Sequence, residues 1–552
     1  MELIKDTLAG LLRHWAEVTP DKDFIIYNDR NLHWTYRQFD ERVDRFAKGL
    51  LAAGVQKNSK VGIWANNVPD WLTVMFAAAR IGAWAVTVNT NYKSAEVEYL
   101  MQNADIHTMC CVPEYRDSNY VEMLREIVPE LNRPHAIGKL LSARLPELRN
   151  VVVLGSERYE GTLNSEDIFN IGEHISDIEY KKLTSSVNCH DIVNMQYTSG
   201  TTGFPKGVML TNYNIVNNGV ATGDAMKYTA DDRLCVCVPF FHCFGIVLAL
   251  CAIITHGASM AIVQDFDPEA VLKSVSEEKC TSLYGVPTMF VRELTHENFD
   301  KYDLSSLRTG IMAGSLCPIE TMKQVMDKMY MKDIISVYGL TESSPGMTCS
   351  RIGQSAEKRA TTVGTPFPFV EVTILNPETN HPVADGEQGE ICCRGYNVMK
   401  GYYKNPEATA QTIDSNGWLH SGDLAMRDAD GYYHITGRIK DMIIRGGENI
   451  YPREIENFIY QMPGVSMVEV VGIADQKYGE IVGAFIIQKE GANLTQEKVQ
   501  KYCEGQIARF KIPKYVFFVD DYPKTGSGKV QKFKLREIGK QLVDEIISKQ
   551  RV

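Results

Sequence analysis

Tyr197-Thr198-Ser199-Gly200-Thr201-Thr202-Gly203-Phe204-Pro205-Lys206-Gly207 is the stretch around which the rest of the chain is organised. The ten residues from Thr198 onward hold three glycines, four hydroxyl side chains and one lysine. Glycines let backbone N–H groups turn toward a guest, hydroxyls add neutral donors, and lysine adds a mobile positive charge. Residues 191–196 can form a short strand before it, and Thr211 can begin a helix after it. This composition indicates a loop that binds a polyphosphate.

The stretch is not a Walker loop, which requires Gly, four residues, and then Gly-Lys-Ser/Thr. Counting from Gly200 places Pro205 where the second glycine is needed. The later run Gly526-Ser527-Gly528-Lys529 also fails, because Pro523 stands where the first glycine is needed. A flexible surface turn is the alternative interpretation, and it does not explain a rigid proline directly before Lys206.

Length and charge bound the class of protein. A chain of 552 residues exceeds what one hydrophobic core usually supports, so we expect two or more domains. The formal net charge of −11 argues against nucleic acid or an anionic membrane as a partner. Residues 439–552 carry 18 basic and 15 acidic side chains, which makes this tail mildly basic on an acidic body.

The cysteines and the apolar runs predict a cytoplasmic protein. The 13 cysteines are scattered and form no paired Cys-x-x-Cys set, so we expect reduced thiols and no zinc site. No signal-peptide core follows the first residues, and the last residues are not a peroxisomal address. The longest apolar run, residues 244–255, is too short to span a bilayer and predicts a buried helix.

The order of elements predicts an α/β fold. Residues 32–54 read as a helix after a turn, with Thr35 as its cap, and residues 61–65 and 84–88 read as buried strands. Such alternation favours largely parallel sheets. Short strands and turns dominate residues 386–437, and a compact α+β module follows. We place the domain boundary between residues 438 and 439, giving domains 1–438 and 439–552.

A second motif is Val337-Tyr338-Gly339-Leu340-Thr341-Glu342-Ser343, after a segment typical of a strand. Its ring can stack on a base, its glycine can admit a backbone, and its carboxylate can hold Mg²⁺, which prefers oxygen ligands. A loop with one exposed glutamate is the alternative. Three further motifs follow: Gly417-Trp418-Leu419-His420-Ser421-Gly422-Asp423, Thr436-Gly437-Arg438-Ile439-Lys440-Asp441, and Pro523-Lys524-Thr525-Gly526-Ser527-Gly528-Lys529-Val530.

Five motifs in this order, from Thr198 to Lys529, resemble the adenylate-forming superfamily, which includes acyl-CoA synthetases, firefly-type luciferases and peptide-synthetase adenylation domains. The resemblance continues through residues 442–452. It implies a large N-terminal domain of α/β sheet subdomains with a β-rich subdomain, followed by a small mobile α+β C-terminal domain. It also implies ATP, Mg²⁺ and coenzyme A as cofactors.

The resemblance further implies the residues of the site. The phosphates would be held by Thr198, Ser199, Gly200, Thr201, Thr202, Gly203 and Lys206. Tyr338 and Gly339 would take the adenine, Asp423 and Arg438 the ribose, and Glu342 with Thr201 the Mg²⁺. The catalytic set would be Lys529, Thr341, Glu342 and His242. Thr341 would contact the α-phosphate, and a gating or packing role is the alternative for His242. Gly314 and Ser315 would border the nucleotide and acyl group, Lys440 would be the hinge, and Gly446 and Gly447 would admit pantetheine.

The implied reaction is the activation of a carboxylic acid to acyl-AMP with release of pyrophosphate, followed by transfer to the thiol of CoA. No aspartate occurs in residues 239–245, where peptide-synthetase domains keep one, so an amino acid substrate is disfavoured. The resemblance implies that residues 239–245 border the acyl and pantetheine channels. The apolar segments 285–290 and 313–316 favour a fatty acid of medium or longer chain. An aromatic or alicyclic acid, a carrier-protein acceptor, a luciferase-like oxygenase and a non-enzymatic ATP-binding module remain alternatives. The sequence does not indicate the oligomeric state.

Overall fold

The computed structural model describes residues 1–133, 135–198, 205–314, 317–446, 448–525 and 529–550. Residues 549 and 550 are described without their side chains. The first strands are β1 Asp23–Tyr27, β2 Leu32–Thr35, β3 Lys60–Trp64, β4 Trp84–Thr87, β5 Ile106–Cys111, β6 Glu114–Tyr115, β7 Ser118–Asn119, β8 Asn150–Val153, β9 Leu163–Asn164, β10 Ile192–Thr198, β11 Lys206–Thr211, β12 Arg233–Val236, β13 Ser259–Ile262, β14 Ser282–Gly285 and β15 Thr309–Met312. The later strands are β16 Asp333–Ile335, β17 Val337–Gly339, β18 Gly346–Cys349, β19 Thr365–Pro366, β20 Val370–Leu375, β21 Gln388–Gly395, β22 Gly401–Tyr402, β23 Leu419–Arg427, β24 Tyr433–Arg438, β25 Ile443–Arg445, β26 Glu448–Ile450, β27 Val465–Asp475, β28 Gly479–Gln488 and β29 Tyr515–Phe518.

Helices alternate with these strands along the chain. The α-helices are α1 Leu8–Val18, α2 Tyr36–Ala52, α3 Pro69–Arg80, α4 Ser94–Asn103, α5 Tyr120–Ile127, α6 Ser165–Ile171, α7 Asp177–Thr184, α8 Asn212–Ala225, α9 Ala252–Thr255, α10 Pro268–Glu278, α11 Pro287–Leu294, α12 Ile319–Lys328, α13 Ala356–Thr361, α14 Pro406–Thr412, α15 Pro452–Tyr460, α16 Gln496–Cys503 and α17 Lys532–Gln550. A π-helix spans Phe244–Cys251. Short 3₁₀ turns span Asn28–Arg30, Pro129–Asn132, Gly172–His174, Phe299–Lys301, Thr341–Ser343, Ile439–Asp441 and Arg509–Lys511.

Internal packing divides the chain into two compact units. The first unit contains Met1–Val372 and Cys393–Leu419, and the second contains Thr373–Cys392 and His420–Val552. The predicted boundary between residues 438 and 439 lies inside the second unit, because residues 373–392 and 420–438 pack with the C-terminal residues. That boundary stays a prediction.

The first unit is built on two mixed sheets. Within the described ranges, one has the strand order β16-β15-β14-β12-β13-β1-β2 and the other β22-β11-β10-β4-β3-β5-β8-β9. The inner strands of both sheets are parallel, whereas β2, β11 and β22 join antiparallel at the edges. A smaller antiparallel sheet, β17-β18-β19, carries the second motif. This arrangement confirms the predicted α/β class.

The helix starts in this unit follow from their caps. Thr35 accepts a hydrogen bond from the backbone of Gln38, whose side chain bonds back to Thr35, so α2 begins with a reciprocal capping pair. Thr211 and Asn214 make the same arrangement at the start of α8. Both caps were predicted from the sequence, because Thr and Asn satisfy the first free backbone N–H groups of a helix.

The apolar run 244–255 is helical and buried, as predicted, but it is not one regular α-helix. Residues Phe244–Cys251 form a π-helix, and only the last turn, α9, is α-helical. Hydropathy cannot distinguish these two hydrogen-bond patterns, because both bury the same side chains. Among the described helices, none combines the length and the apolar character that crossing a membrane requires.

Most of two further sheets lies in the second unit, and the pairings β23-β24, β25-β26, β25-β28 and β27-β28 are antiparallel. The strand orders are β20-β21-β23-β24 and β26-β25-β28-β27, with β29 parallel to β28. Apolar side chains alternate between the two faces of the second sheet. One face packs on α15 and α16 through Ile455 and Val499, and the other packs on α17 through Leu535 and Val543. Each face therefore has its own core, as expected for an α+β module.

Candidate active site

The stretch predicted to bind a polyphosphate is flanked by two paired strands. Strands β10 and β11 pair antiparallel, and Thr198 lies opposite Lys206 where the pairing ends. The predicted phosphate ligands Ser199, Gly200, Thr201, Thr202 and Gly203 lie outside the described residues. Both flanking members of the predicted set, Thr198 and Lys206, are half-buried. The sequence prediction of a strand before the loop is confirmed.

Lys206 is linked to Glu342 through the side chain of Tyr402. The Lys206 ammonium lies 4.9 Å from the centroid of the Tyr402 ring, and the Tyr402 hydroxyl donates to Glu342 Oε1 at 2.8 Å. Burial, reinforced by the Glu342 carboxylate, raises the pKa of Tyr402, so its hydroxyl stays protonated and donates. Strand β22 holds Tyr402 against Val208 of β11. Two predicted motifs are thereby brought together.

Thr341 and Glu342 open the short turn Thr341–Ser343 that follows β17. Thr341 is buried, and its hydroxyl lies 3.7 Å from Cys243 Sγ. Residue 243 belongs to the segment predicted to border the acyl group. The described residues therefore place the predicted contact for the α-phosphate beside the predicted acyl segment.

His242 is held in one orientation by the backbone. Its Nδ1 accepts a hydrogen bond from the N–H of Phe244 at 3.1 Å, and Cys243 Sγ lies 3.8 Å from the same nitrogen. A ring nitrogen that accepts a hydrogen bond carries no proton, which leaves Nε2 as the other functional nitrogen. This geometry fits the alternative of a gating or packing residue as well as it fits a catalytic residue.

Two predicted glycines are required by close approach. A Cβ at Gly339 would lie 1.7 Å from the Pro345 carbonyl oxygen, so the backbone that Gly339 admits belongs to its own loop. Gly314 has φ +89°, and a Cβ there would lie 3.1 Å from Val286. Gly314 and Val286 belong to the two predicted acyl segments, which therefore lie close together here. Ser315 lies outside the described residues.

The acyl segments are apolar, as predicted. The side chains of Phe240, Tyr284 and Phe290 are fully buried, and Phe244 stacks on Tyr284 with ring centroids 5.8 Å apart. Strands β14 and β15 pair from Ser282 to Gly285 and so hold both segments in register.

The predicted ribose residues meet in the second unit. Asp423 and Arg438 are paired across β23 and β24, and Arg438 Nε donates to Asp423 Oδ1 at 2.7 Å. Asp423 is buried, whereas Arg438 is exposed. Glu390 of β21 accepts a hydrogen bond from the N–H of Gly422 at 2.7 Å and lies 2.8 Å from Nδ1 of His420. The turn before Asp423 is therefore fastened to the neighbouring strand.

Three predicted residues of the second unit lie on its surface. Lys440, in the 3₁₀ turn Ile439–Asp441, and Lys529 are exposed, and so is Gly446, which has φ +61°. The ends of the loop that bears Lys529 are closed by hydrogen bonds between Thr525 and Lys529. Gly447 and residues 526–528 lie outside the described residues.

Two residues of this geometry were missed by the sequence reasoning, Tyr402 and Glu390. Tyr402 lies 60 positions from the carboxylate that it contacts, and Glu390 lies 32 positions from Gly422. Each contact depends on strand pairing that no local pattern specifies. The only local indication was a glutamate at an inward-facing position of a strand, which requires a hydrogen-bonded partner.

Comparison with protein families decides the assignment. The profile described as "AMP-binding enzyme" matches residues 12–403, and "AMP-binding enzyme C-terminal domain" matches residues 454–529. The chain belongs to the AMP-binding enzyme family. The predicted boundary at residues 438 and 439 falls between the two matched ranges.

Relatives of this AMP-binding enzyme carry acyl-CoA synthetase and ligase names. YngI of Bacillus subtilis (strain 168), provisionally named an acyl-CoA synthetase, is 50% identical over 97% of both chains. The mitochondrial medium-chain acyl-CoA ligase ACSF2 of Danio rerio is 38% identical over 97% of this chain and 88% of its own length. The anthranilate CoA ligase AuaEII, solved with anthranoyl-AMP, has a TM-score of 0.85, 27% identity and 99% coverage of both chains. The predicted superfamily and its acyl-CoA synthetase branch are confirmed.

The donor set of this AMP-binding enzyme suits a magnesium ion. Glu342, the described member of the predicted metal pair, is half-buried and offers a carboxylate. Hard oxygen donors of this kind, completed by phosphate oxygens of the nucleotide, are what Mg²⁺ prefers. Thr201, the other predicted metal ligand, lies outside the described residues.

Proposed function

We propose that this AMP-binding enzyme is an ATP-dependent acyl-CoA ligase that activates a medium-chain fatty acid. One observation carries the proposal, namely the run of contacts from Lys206 through Tyr402 to Glu342, with Thr341 beside Cys243. It joins the residues expected to hold the phosphates of ATP to the segment expected to border the acid. An enzyme that reacts a carboxylate with the α-phosphate needs these two groups side by side.

In the first half-reaction, a carboxylate oxygen of the acid attacks the α-phosphorus of ATP, and the bond to pyrophosphate breaks. We assign Thr198 and Lys206 to the β- and γ-phosphates and Thr341 to the α-phosphate. Lys529 would neutralise the negative charge that builds on the reacting oxygens, which is the main contribution a protein makes to phosphoryl chemistry. Bound Mg²⁺, held by Glu342, would supply further neutralisation of the phosphate charge.

In the second half-reaction, the thiol of CoA attacks the carbonyl carbon of the acyl-AMP, and AMP leaves. We assign Gly446 and Gly447 to the passage of pantetheine, because glycine leaves room for a narrow ligand. We further propose that residues 439–552 form a mobile domain with Lys440 as its hinge. A hinge residue must be solvated in both backbone states, and Lys440 is exposed.

The apolar segments around Phe240, Phe244 and Phe290 support an uncharged acyl group. The medium-chain name of ACSF2 supports a chain of intermediate length. An aromatic acid is the second candidate. The stacking of Phe244 on Tyr284 would suit a planar substrate, and AuaEII is an anthranilate ligase.

We place the reaction in the cytoplasm, which agrees with thirteen cysteines that are all unbridged thiols.

The test is to incubate the purified protein with MgATP and a panel of acids, and to follow pyrophosphate and AMP with and without CoA. The panel runs from acetate through hexanoate, octanoate and palmitate to benzoate and cyclohexanecarboxylate. We expect pyrophosphate that depends on the acid, turnover that depends on CoA, and the highest kcat/KM with hexanoate or octanoate. The Lys529→Ala variant should lose pyrophosphate formation by at least about a hundredfold.

Other outcomes identify the alternatives. Highest activity with benzoate would favour the aryl ligase. Acid-dependent pyrophosphate without turnover by CoA would indicate a carrier-protein acceptor. No pyrophosphate with any acid of the panel would overturn the proposal.

A further inference from the structure

A compact group of polar side chains lies between β21 and β23, beside the predicted ribose residues. His420 Nδ1 lies 2.8 Å from Glu390 Oε2 and 3.5 Å from Cys392 Sγ. These atoms lie within 4.8 Å of one another, as metal ligands would. However, both oxygens of Glu390 already have protein partners, because Oε1 accepts the N–H of Gly422 at 2.7 Å. The group is therefore a hydrogen-bond network that holds backbone in place.

What the network holds is the turn that precedes Asp423. Ser421 Oγ donates to the carbonyl of Ile391 at 2.6 Å and accepts the N–H of Asp423 at 3.0 Å. Gly422 has φ +73°, a left-handed conformation that favours glycine. Glu390 contacts this turn at two points, the ring of His420 and the N–H of Gly422. The direction of the Asp423 side chain thus depends on a carboxylate that lies 33 positions earlier in the chain.

We propose that Glu390 is a positioning residue for nucleotide recognition. By holding His420 and Gly422, it fixes Asp423 in the orientation that accepts the ribose hydroxyls, and so sets the preference for ATP over 2′-deoxyATP. The inference rests on the proposed role of Asp423 and goes beyond it, since it assigns specificity to a side chain that does not touch the nucleotide. Asp423 is buried and bound to Arg438, so a small rotation of the turn would disturb both ribose residues together.

Both oxygens of Glu390 take part in holding the turn. One accepts the N–H of Gly422, and the other lies 2.8 Å from the ring Nδ1 of His420, which donates to it when the ring proton is on that nitrogen. A glutamine in its place is uncharged and has one acceptor oxygen and one NH₂ donor, so it can accept the N–H of Gly422 but can bond to His420 Nδ1 only if the ring proton moves to Nε2. Hydrogen bonds to charged groups in buried places are among the stronger ones in proteins. Glu390→Gln therefore weakens the contacts that hold the turn, while the side-chain volume at position 390 stays almost unchanged.

The experiment compares kcat/KM for ATP with kcat/KM for 2′-deoxyATP in each variant. Because both nucleotides meet the same sample, an inactive fraction of protein cancels in the ratio. We expect Glu390→Gln to lower the preference for ATP about tenfold, in line with the loss of one charged hydrogen bond. Asp423→Asn should abolish the preference for ATP. His420→Gln removes one of the two contacts of Glu390 and should lower the preference less than Glu390→Gln.

A matched control is Glu387→Gln, three residues earlier. Glu387 is exposed, and its side chain accepts the N–H of Ala384, so this variant should keep the wild-type ratio. If Asp423→Asn loses the preference while Glu390→Gln and His420→Gln keep it, the inference is overturned and the proposed function stands. If Asp423→Asn keeps the preference, the ribose role of Asp423 is wrong and the inference falls with it.

Discussion

Glu293 is a buried carboxyl group that the proposed chemistry does not use. It lies on the inward face of α11 at 1% exposure, and burial raises its pKa from the ordinary value of 4.5 to about 8. The folded state therefore holds a proton between pH 4.5 and 8 that the unfolded chain has released. The contribution of Glu293 to stability is therefore most favourable at acid pH and falls as the pH rises toward 8.

We expect Glu293→Gln to remove this loss. At pH 7 the variant should gain on the order of 3 kcal/mol in the free energy of unfolding relative to wild type, and at pH 5 much less. Urea unfolding at pH 5, 6, 7 and 8 measures the difference. The exposed neighbour Glu297→Gln serves as the control and should show no such trend. A difference that is independent of pH would mean that Glu293 is already ionised in the folded protein.

Tyr402 connects two predicted motifs through its hydroxyl. Tyr402→Phe keeps the ring beneath Lys206 and removes the hydroxyl that donates to Glu342. Because a hydrogen bond to a carboxylate contributes about 1.5–3 kcal/mol, we expect kcat/KM for MgATP to fall about ten- to a hundredfold. Initial rates of pyrophosphate release at varied MgATP measure this.

The matched control for Tyr402→Phe is Tyr403→Phe. The hydroxyl of Tyr403 also donates to a carboxylate, that of Asp105, at 2.7 Å, but neither residue belongs to the candidate site. Equal losses of activity in both variants would show that general destabilisation, and not the link to Glu342, is responsible.

Single residues were predictable where the chemistry is local. Thr35 and Thr211 were identified as caps because a hydroxyl before a helix satisfies N–H groups a few residues away. Asp423 and Arg438 were assigned to one function by resemblance, and the hairpin does bring them together. Tyr402 and Glu390 could not be found, because their partners lie on other elements and only the folded chain sets the distance.

At the scale of elements, helix α17 anchors the segment that bears Lys529. Lys532 begins this helix and forms ion pairs with Glu456 of α15 and Glu469 of β27. Burial disfavours the Lys532 ammonium, but the two carboxylates outweigh it and raise its pKa. Burial in turn raises the pKa of Glu469 to about 7. The charge of Lys532 therefore fixes the chain three residues beyond Lys529.

We expect Lys532→Met to slow acyl-AMP formation at least about tenfold, because the chain that carries Lys529 is then no longer held in position. Thioester formation from preformed acyl-AMP and CoA should change little, since we assign Lys529 to the first half-reaction only. Lys532→Arg keeps the charge and should restore most of the rate. Single-turnover assays of each half-reaction separate the cases. Equal slowing of both halves would indicate loss of fold instead.

Elements were predictable from pattern, and their exact form was not. The run 244–255 was expected to be a buried helix, and it is buried and helical. Its π-helical hydrogen bonding could not be foreseen, because the pattern of apolar residues is uniform and carries no period. In contrast, β22 is only two residues long and has no sequence pattern, yet it delivers Tyr402 to the site.

At the scale of the whole molecule, the two core clusters around β27 and β28 use only residues between Ile443 and Val543. We therefore expect a fragment of residues 439–552 to fold by itself, although residues 373–392 and 420–438 pack with it in the full chain. Circular dichroism and a cooperative thermal transition test this. A fragment that is unfolded would place the true boundary earlier than residue 439.

The family and the domain order could be predicted because five motifs recur in a fixed sequence along the chain. The packing unit could not. Strands β21, β23 and β24 belong in sequence to the N-terminal region, and only their side-chain and backbone contacts place most of them with the C-terminal residues. A boundary drawn from composition follows the chain, whereas a packing unit follows the contacts.

All thirteen cysteines are buried, which gives the molecule a property unrelated to its chemistry. Burial raises the pKa of Cys349 and of Cys503 to about 11, so neither thiol reacts with an alkylating reagent until its surroundings open. Cys349 lies in the first unit and Cys503 in a core cluster of the second. Timed alkylation followed by mass spectrometry would therefore record how often each unit opens, with no label introduced.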